Sequence, residues 1–171
     1  MSDSRIKPFF PFALTAIVIA LDQASKALIV AKVERGTIGF SALGDFFWIV
    51  HERNPAIAFS IGYGLPAEAR SVLFVALPIL LMAAIVVYYF KAKSLSALER
   101  WALCGILGGG LGNIIDRIAR PEGVVDFLSC KFYGLFGLER WPTFNVADSS
   151  VVVCGILLVI ALIVEDRKAV K

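Results

Sequence analysis

The chain is poor in the residues that most hydrolytic and metal chemistry needs. His51 is its single histidine, which rules out an H-E-x-x-H zinc site and makes a Ser-His-Asp triad a poor reading. Its three cysteines, Cys104, Cys130 and Cys154, match neither a disulfide framework nor paired zinc spacing, and read as free thiols. Charged residues make up only 18%, and 17 basic against 14 acidic side chains leave +3, which gives no nucleic-acid footprint. Ser25 and Lys26 are neighbours on a helix and point to different faces, which weakens a Ser-Lys dyad. The sequence has no G-x-G-D motif, no Walker lysine after its glycine cluster, no internal repeat and no low-complexity tract. No metal or other cofactor is implied.

What the chain does have is apolar: 58% of its residues, against roughly 45–50% in soluble domains. Four runs, about 9–30, 71–90, 101–118 and 145–164, approach the roughly 20 residues that cross a hydrocarbon core of about 30 Å. The reading is a single all-α polytopic membrane domain over 1–171, with four transmembrane helices. Arg5 and Lys7 before the first run could mark a cleaved signal peptide, but no small-x-small site follows, and Asp22 to Lys26 interrupt the run. Between the spans, outer segments at about 31–70 and 119–144 remain. Glycine punctuation around Phe46 to Val50 and Ala58 to Ile61 predicts a small β-sheet on the membrane surface, and Pro66 to Arg70 a short surface helix. Trp48, Tyr63, Tyr133 and Trp141 suit an interfacial aromatic belt.

Basic residues set the orientation. Arg5, Lys7, Lys91, Lys93, Arg100, Arg167, Lys168 and Lys171 crowd short segments, whereas Lys32, Arg35, Arg53, Arg70, Arg120, Lys131 and Arg140 are spread along the two longer ones. Both termini and the 91–100 loop are therefore expected in the cytoplasm. Asp22 and Lys26 then fall in the outer half of span 1, Asn113, Asp116 and Arg117 at the outer end of span 3, and Asn145 and Asp148 at the outer start of span 4. Asp126 follows span 3 closely, in an apolar run from Val124 to Leu128.

Ionisable groups inside a membrane are costly and point to function. Some of these have structural readings as well. Asp22 and Lys26, Asn113 and Arg117, and Asp116 and Arg120 are spaced i, i+4 as ordinary pairs on a helix. Gly105, Gly108, Gly109 and Gly112 form overlapping G-x-x-x-G patterns that let helices touch backbone to backbone. Asp148 could be a mere N-cap. A span starting at Ser149 would, however, reach only about 24 Å, so Asp148 is placed within the first turn of a helix starting near Asn145. Two close carboxyls share one proton. The charged member can activate water while the neutral one polarises a carbonyl, which is the logic of an aspartic peptidase. The alternative is a small proton-coupled membrane transporter, but spans 2 and 4 carry no polar groups through to the other half.

Five ordered motifs resemble the lipoprotein signal peptidases, or type II signal peptidases, of bacterial inner membranes. They are Asp22-Gln23-Ala24-Ser25-Lys26; Arg53-Asn54 with Ala58-Phe59-Ser60; Gly108 through Asn113 leading to Asp116-Arg117; Val124-Val125-Asp126-Phe127; and Phe144-Asn145-Val146-Ala147-Asp148-Ser149. The resemblance implies catalytic aspartates at Asp126 and Asp148. It implies supporting or substrate-binding roles for Asp22, Lys26, Asn54, Gly108, Asn113, Arg117, Asn145 and Ala147. It further implies an endopeptidase without a metal, acting on diacylglyceryl-modified prolipoproteins among membrane lipids at the periplasmic face. The cut falls before the lipid-modified cysteine, and cyclic peptides of the globomycin type would inhibit it. The chain departs from the family after Asn54, where N-x-G-A is usual and Pro55, Ala56 and Ile57 stand here. Ala56 does not reach positive φ cheaply, so the turn there is expected to differ.

Overall fold

The computed structural model describes residues 8–55, 66, 69, 72–92 and 94–169, with 165–169 as backbone alone. Four helices are long and apolar enough to cross a membrane: Phe12–Lys32, Val72–Lys91, Ala97–Ala119 and Val146–Val164. The first is α1. The second opens with a wide π-helical turn, Val72–Ala76, and continues as α2, Leu77–Lys91. Pro78 sits in the first turn of α2, where a missing N–H is least costly. The third helix is α3, Ala97–Ala119, and the fourth is α4, Val146–Ala169.

The third helix starts earlier than the expected 101. Ser96 and Glu99 form a capping box in which the Ser96 hydroxyl accepts from the Glu99 backbone N–H and the Glu99 carboxylate accepts from the Ser96 N–H at 2.7 Å. That S-x-x-E signature is local and was available in the sequence. It shortens the 91–100 loop to a few residues.

Helix α3 is the central post. Its mean hydropathy is only 1.2, against 2.6 for the second and fourth spans, because glycines and the polar Asn113, Asp116 and Arg117 stand where the others carry apolar side chains. A Cβ at Gly108 would meet Val18 and the Thr15 carbonyl of α1, and one at Gly109 would strike the Ala147 carbonyl of α4. One at Gly112 would lie 2.8 Å from the Asp22 carboxylate. The G-x-x-x-G stripe therefore brings α1 and α4 against the backbone of α3, as its spacing suggests.

Over one end of the bundle lies a three-stranded antiparallel sheet in the order β1 (Ile38–Ala42), β2 (Phe47–Asn54), β3 (Val124–Cys130). The expected strand near 46–50 is β2. Its neighbour β3 comes from the second outer segment, where the sequence reading saw only an apolar run around Asp126. The second expected run, Ala58 to Ile61, lies outside the described residues, as do Ala56, Tyr63 and nearly all of the surface helix expected at 66–70. The sheet is fastened to the end of α1 where Val125 and Phe127 pack on Ile29, with Val33, Ile49 and Val146 alongside. Burying each such side chain is worth about 1.5–3 kcal/mol. Between Ile49 and Glu52 the β2–β3 register shifts at a bulge, after which Glu52 faces Asp126 and Asn54 faces Val124.

Candidate active site

Asp126 and Asp148 reach the same place from different elements. Strand β3 alternates, sending Val125 and Phe127 onto α1 and leaving Asp126 on the opposite face. Asp148 is in the first turn of α4, whose first helical residue is Val146. Asn145 takes the cap position: its Oδ1 accepts from the Asp148 N–H at 2.9 Å, and its own N–H donates to Asp148 Oδ2 at 3.1 Å. Asp148 is therefore not the N-cap, in line with the length argument.

The two carboxyls are joined through amides. Asn145 Nδ2 donates to Asp126 Oδ1 at 2.7 Å, and Asn54 Nδ2 donates to Asp126 Oδ2 at 3.0 Å. Asn113 Nδ2 donates to Asp148 Oδ1 at 2.7 Å, while Asn113 Oδ1 accepts from Asn145 Nδ2 at 3.1 Å and from Lys26 Nζ at 3.0 Å. Burial raises the Asp126 carboxyl to about 7, and the charge of Asp148 adds to the rise.

Below this pair lies a layer of buried charge. Lys26 is wholly buried between Asp22 at 2.8 Å and Asp116 at 3.1 Å. Asp22 Oδ1 also accepts from the Ala147 N–H at 3.0 Å, tying α1 to the start of α4. Asp116 Oδ2 accepts from the Val125 N–H at 3.1 Å, beside Asp126, and Asp116 Oδ1 pairs with Arg120 at 3.2 Å. Gln23 closes the layer with bonds to Asp22, the Gly112 carbonyl and Asp116.

The residues singled out from sequence thus gather as one network: Asp22, Lys26, Asn54, Asn113, Asp126, Asn145 and Asp148 through side chains, and Ala147 through its N–H. Arg117 joins through the fields of Asp148, Asp126 and Asp116. Gly108 stands apart, as the contact on which α1 crosses α3. From sequence, Asp116 and Arg120 are an ordinary i, i+4 pair and Gln23 is only a member of the Asp22 to Lys26 motif. The pair exists, but Asp116 also holds α1 and β3. The visible partner Arg120 hid that wider role, since Lys26 on α1 and the Val125 N–H on β3 meet Asp116 only in the fold. The polar network is confined to one end. Toward the other, Leu103, Cys104, Leu107 and Met82 fill the interior, so the described residues show no ionisable path across the bundle.

A family model described as signal peptidase (SPase) II matches residues 14–164. The lipoprotein signal peptidase of Treponema denticola is 47% identical over 163 residues, covering 95% of this chain and 94% of that one. That of Treponema pallidum is 44% identical over 160 residues, covering 94% and 86%. A solved structure of a bacterial membrane enzyme, determined by the in meso method, superposes with a TM-score of 0.79 at 29% identity, covering 94% of this chain and 91% of that one.

Proposed function

The chain belongs to the signal peptidase II family, and we propose that it removes signal peptides from prolipoproteins as an aspartic endopeptidase, with Asp126 and Asp148 as the working pair. The observation that carries the aspartic assignment is the amide bridge. Asn145 bonds both carboxyls and so holds them at one site.

Burial and the charge of Asp148 raise Asp126 to about 7, so near neutral pH the pair holds one proton between its two carboxyls, and the reaction runs from the form with that proton on Asp126. In that form Asp148 is the charged member, with Asn113 Nδ2 and the Asn145 N–H donating to its two oxygens. Asp148 takes a proton from water as that water attacks the scissile carbonyl. Asp126 donates its proton to the carbonyl oxygen, and the amine product leaves with a proton returned from the pair. Lys26, Asp22 and Asp116 do not touch the reacting atoms. They fix the elements that carry the pair.

The substrate is a prolipoprotein whose cysteine bears diacylglycerol, cut just before that cysteine. Anchoring in the bilayer by acyl chains and signal helix brings the scissile bond to the site with little search. Both termini lie in the cytoplasm and the pair at the periplasmic face of a bacterial inner membrane. Cyclic peptides of the globomycin type compete for the same cleft.

The test is cleavage of a diacylglyceryl-modified prolipoprotein and of its unmodified form by the purified chain in detergent. Release of the signal peptide from the modified form alone is expected. No cleavage of either by a folded preparation would overturn the reading. Alkaline-phosphatase fusions in the 92–96 loop should be inactive and fusions at Gly44 active; the reverse would overturn the topology.

A further inference from the structure

Among the described residues, every non-glycine residue with positive φ lies in two loops at one end of the sheet. Leu43 (φ 55) and Asp45 (φ 81) lie between β1 and β2; Tyr133 (φ 53) and Phe136 (φ 56) lie in the loop that leaves β3. This conformation disfavours any L side chain, so the surroundings must hold it. The two loops are stitched together. Asp45 Oδ2 pairs with Lys131 Nζ at 3.1 Å, Arg140 donates to the Asp45 carbonyl at 3.0 Å, and the Lys131 N–H donates to the Phe46 carbonyl at 2.8 Å. Arg140 also stacks 3.5 Å above Trp48, and Phe132 packs between Phe136 and Trp141.

The tip so joined exposes what a fold usually hides: Leu43 at 78%, Tyr133 at 70%, Leu135 at 54% and Phe136 at 82%. Its sheet is anchored at the level where α4 begins. Leu128 and Phe144 exchange backbone hydrogen bonds at 2.8 and 3.0 Å, and Phe144 stands two residues before Val146. Aromatic and leucine side chains beside lysine and arginine make up an interfacial anchor. The cations are already matched, Lys131 by Asp45 and Glu139, and Arg140 by Asp45. The tip therefore offers apolar surface without a charge surplus, which suits a zwitterionic headgroup layer better than an acidic protein partner.

The geometry points to a second membrane anchor: the two-loop tip dips into the headgroup layer on the side of Asp126 and Asp148, inserting Leu43, Tyr133, Leu135 and Phe136. It holds the sheet that carries Asp126 down over the helix ends. The inference rests on the membrane-spanning reading and not on the peptidase chemistry.

The test uses the full chain with Cys130→Ser, since Cys104 and Cys154 are buried. Spin labels are placed singly at Leu43→Cys, Leu135→Cys and Phe136→Cys in phosphatidylcholine nanodiscs, with Glu122→Cys as an exposed control on the sheet side. Collision with oxygen, which concentrates in lipid, is compared with collision with a water-soluble nickel chelate. The tip labels should favour oxygen several-fold more than the control, and the ratio should not move with salt or with added anionic lipid. Leu135 has no positive φ to disturb, so it keeps the test valid if the strained positions tolerate a label poorly. Nickel-favoured collisions at Leu135 equal to those at Glu122 would overturn the anchor and leave a protein partner as the occupant. Cleavage is not the readout, so failure here leaves the peptidase assignment standing.

Discussion

The two ends of α3 each bury a carboxylate, and they satisfy it in opposite ways. Glu99 is 3% exposed and finds its partners three residues away, in the Ser96 N–H and hydroxyl. Asp116 is fully buried at the other end and, besides Arg120 just past the end of its own helix, finds Lys26 on α1, Gln23 on α1 and the Val125 N–H on β3. A buried acid with near partners finishes a helix. A buried acid with partners on other elements joins them, and at this end the joined elements include the strand of Asp126. Range of partnership, more than burial, separates the site from the cap.

The largest effect expected from breaking this contrast is at the pair itself. Asp126→Asn and Asp148→Asn should each lower single-turnover cleavage by about a thousandfold or more while the helices stay folded, because each carboxyl needs the other's proton. Circular dichroism and thermal unfolding of the purified variants check the second half of that statement.

Next comes Lys26→Met, which leaves Asp22 buried without a counter-charge and Asp116 with Arg120 alone. Removing one member of a buried ionic cluster costs about 3–5 kcal/mol, so both thermal stability and activity should fall. Gly109→Ala should also cost activity, since its Cβ meets the Ala147 carbonyl next to Asp148. Gly155→Ala on the open flank of α4, where a Cβ meets nothing within 4 Å, should instead leave activity unchanged and stabilise by up to about 1 kcal/mol. Equal losses from the two glycine variants would refute the packing account.

Ser96→Ala at the far end should cost about 1 kcal/mol of stability and no activity, as loss of a local cap does. A smaller and sharper effect is in pH. Asp126 is raised from 3.8 to about 7, so the native state holds a proton that the unfolded chain releases from about pH 4 upward. This group therefore lowers stability as pH rises from about 4 to about 7, with no further change above that. Thermal midpoints from pH 5 to 8 should decline more steeply in the wild type than in Asp126→Asn. Parallel curves would show that Asp126 titrates normally.

The sequence made much of this legible because a membrane makes polar residues conspicuous. Asp22, Lys26, Asn113, Asn145 and Asp148 stand out within apolar runs, and helix length together with the start signal at Pro142 places Asp148 inside α4. Strand β3 was not legible as a strand. Its seven residues include an acid at the third position, and its pairing with β2 closes across seventy residues or more that local pattern does not span. The role of Asp116 was hidden for the same reason: its i, i+4 partner Arg120 is visible in the sequence, while Lys26 and the Val125 N–H are not. The strained loops at Leu43, Asp45, Tyr133 and Phe136 carry no sequence signal, since none of these residues favours positive φ strongly except Asp45.

The central claim is that Asp126 and Asp148 act as one unit, and a double-mutant cycle measures it directly. Single-turnover cleavage of diacylglyceryl prolipoprotein is compared for the wild type, Asp126→Asn, Asp148→Asn and the double variant, each with and without EDTA. The expected result is that all three variants fall to the same background rate, with no added loss in the double variant and no effect of the chelator on the wild type. Multiplying losses, substantial activity in either single variant, or a wild type silenced by EDTA would contradict the pair and move the search for the catalytic group elsewhere.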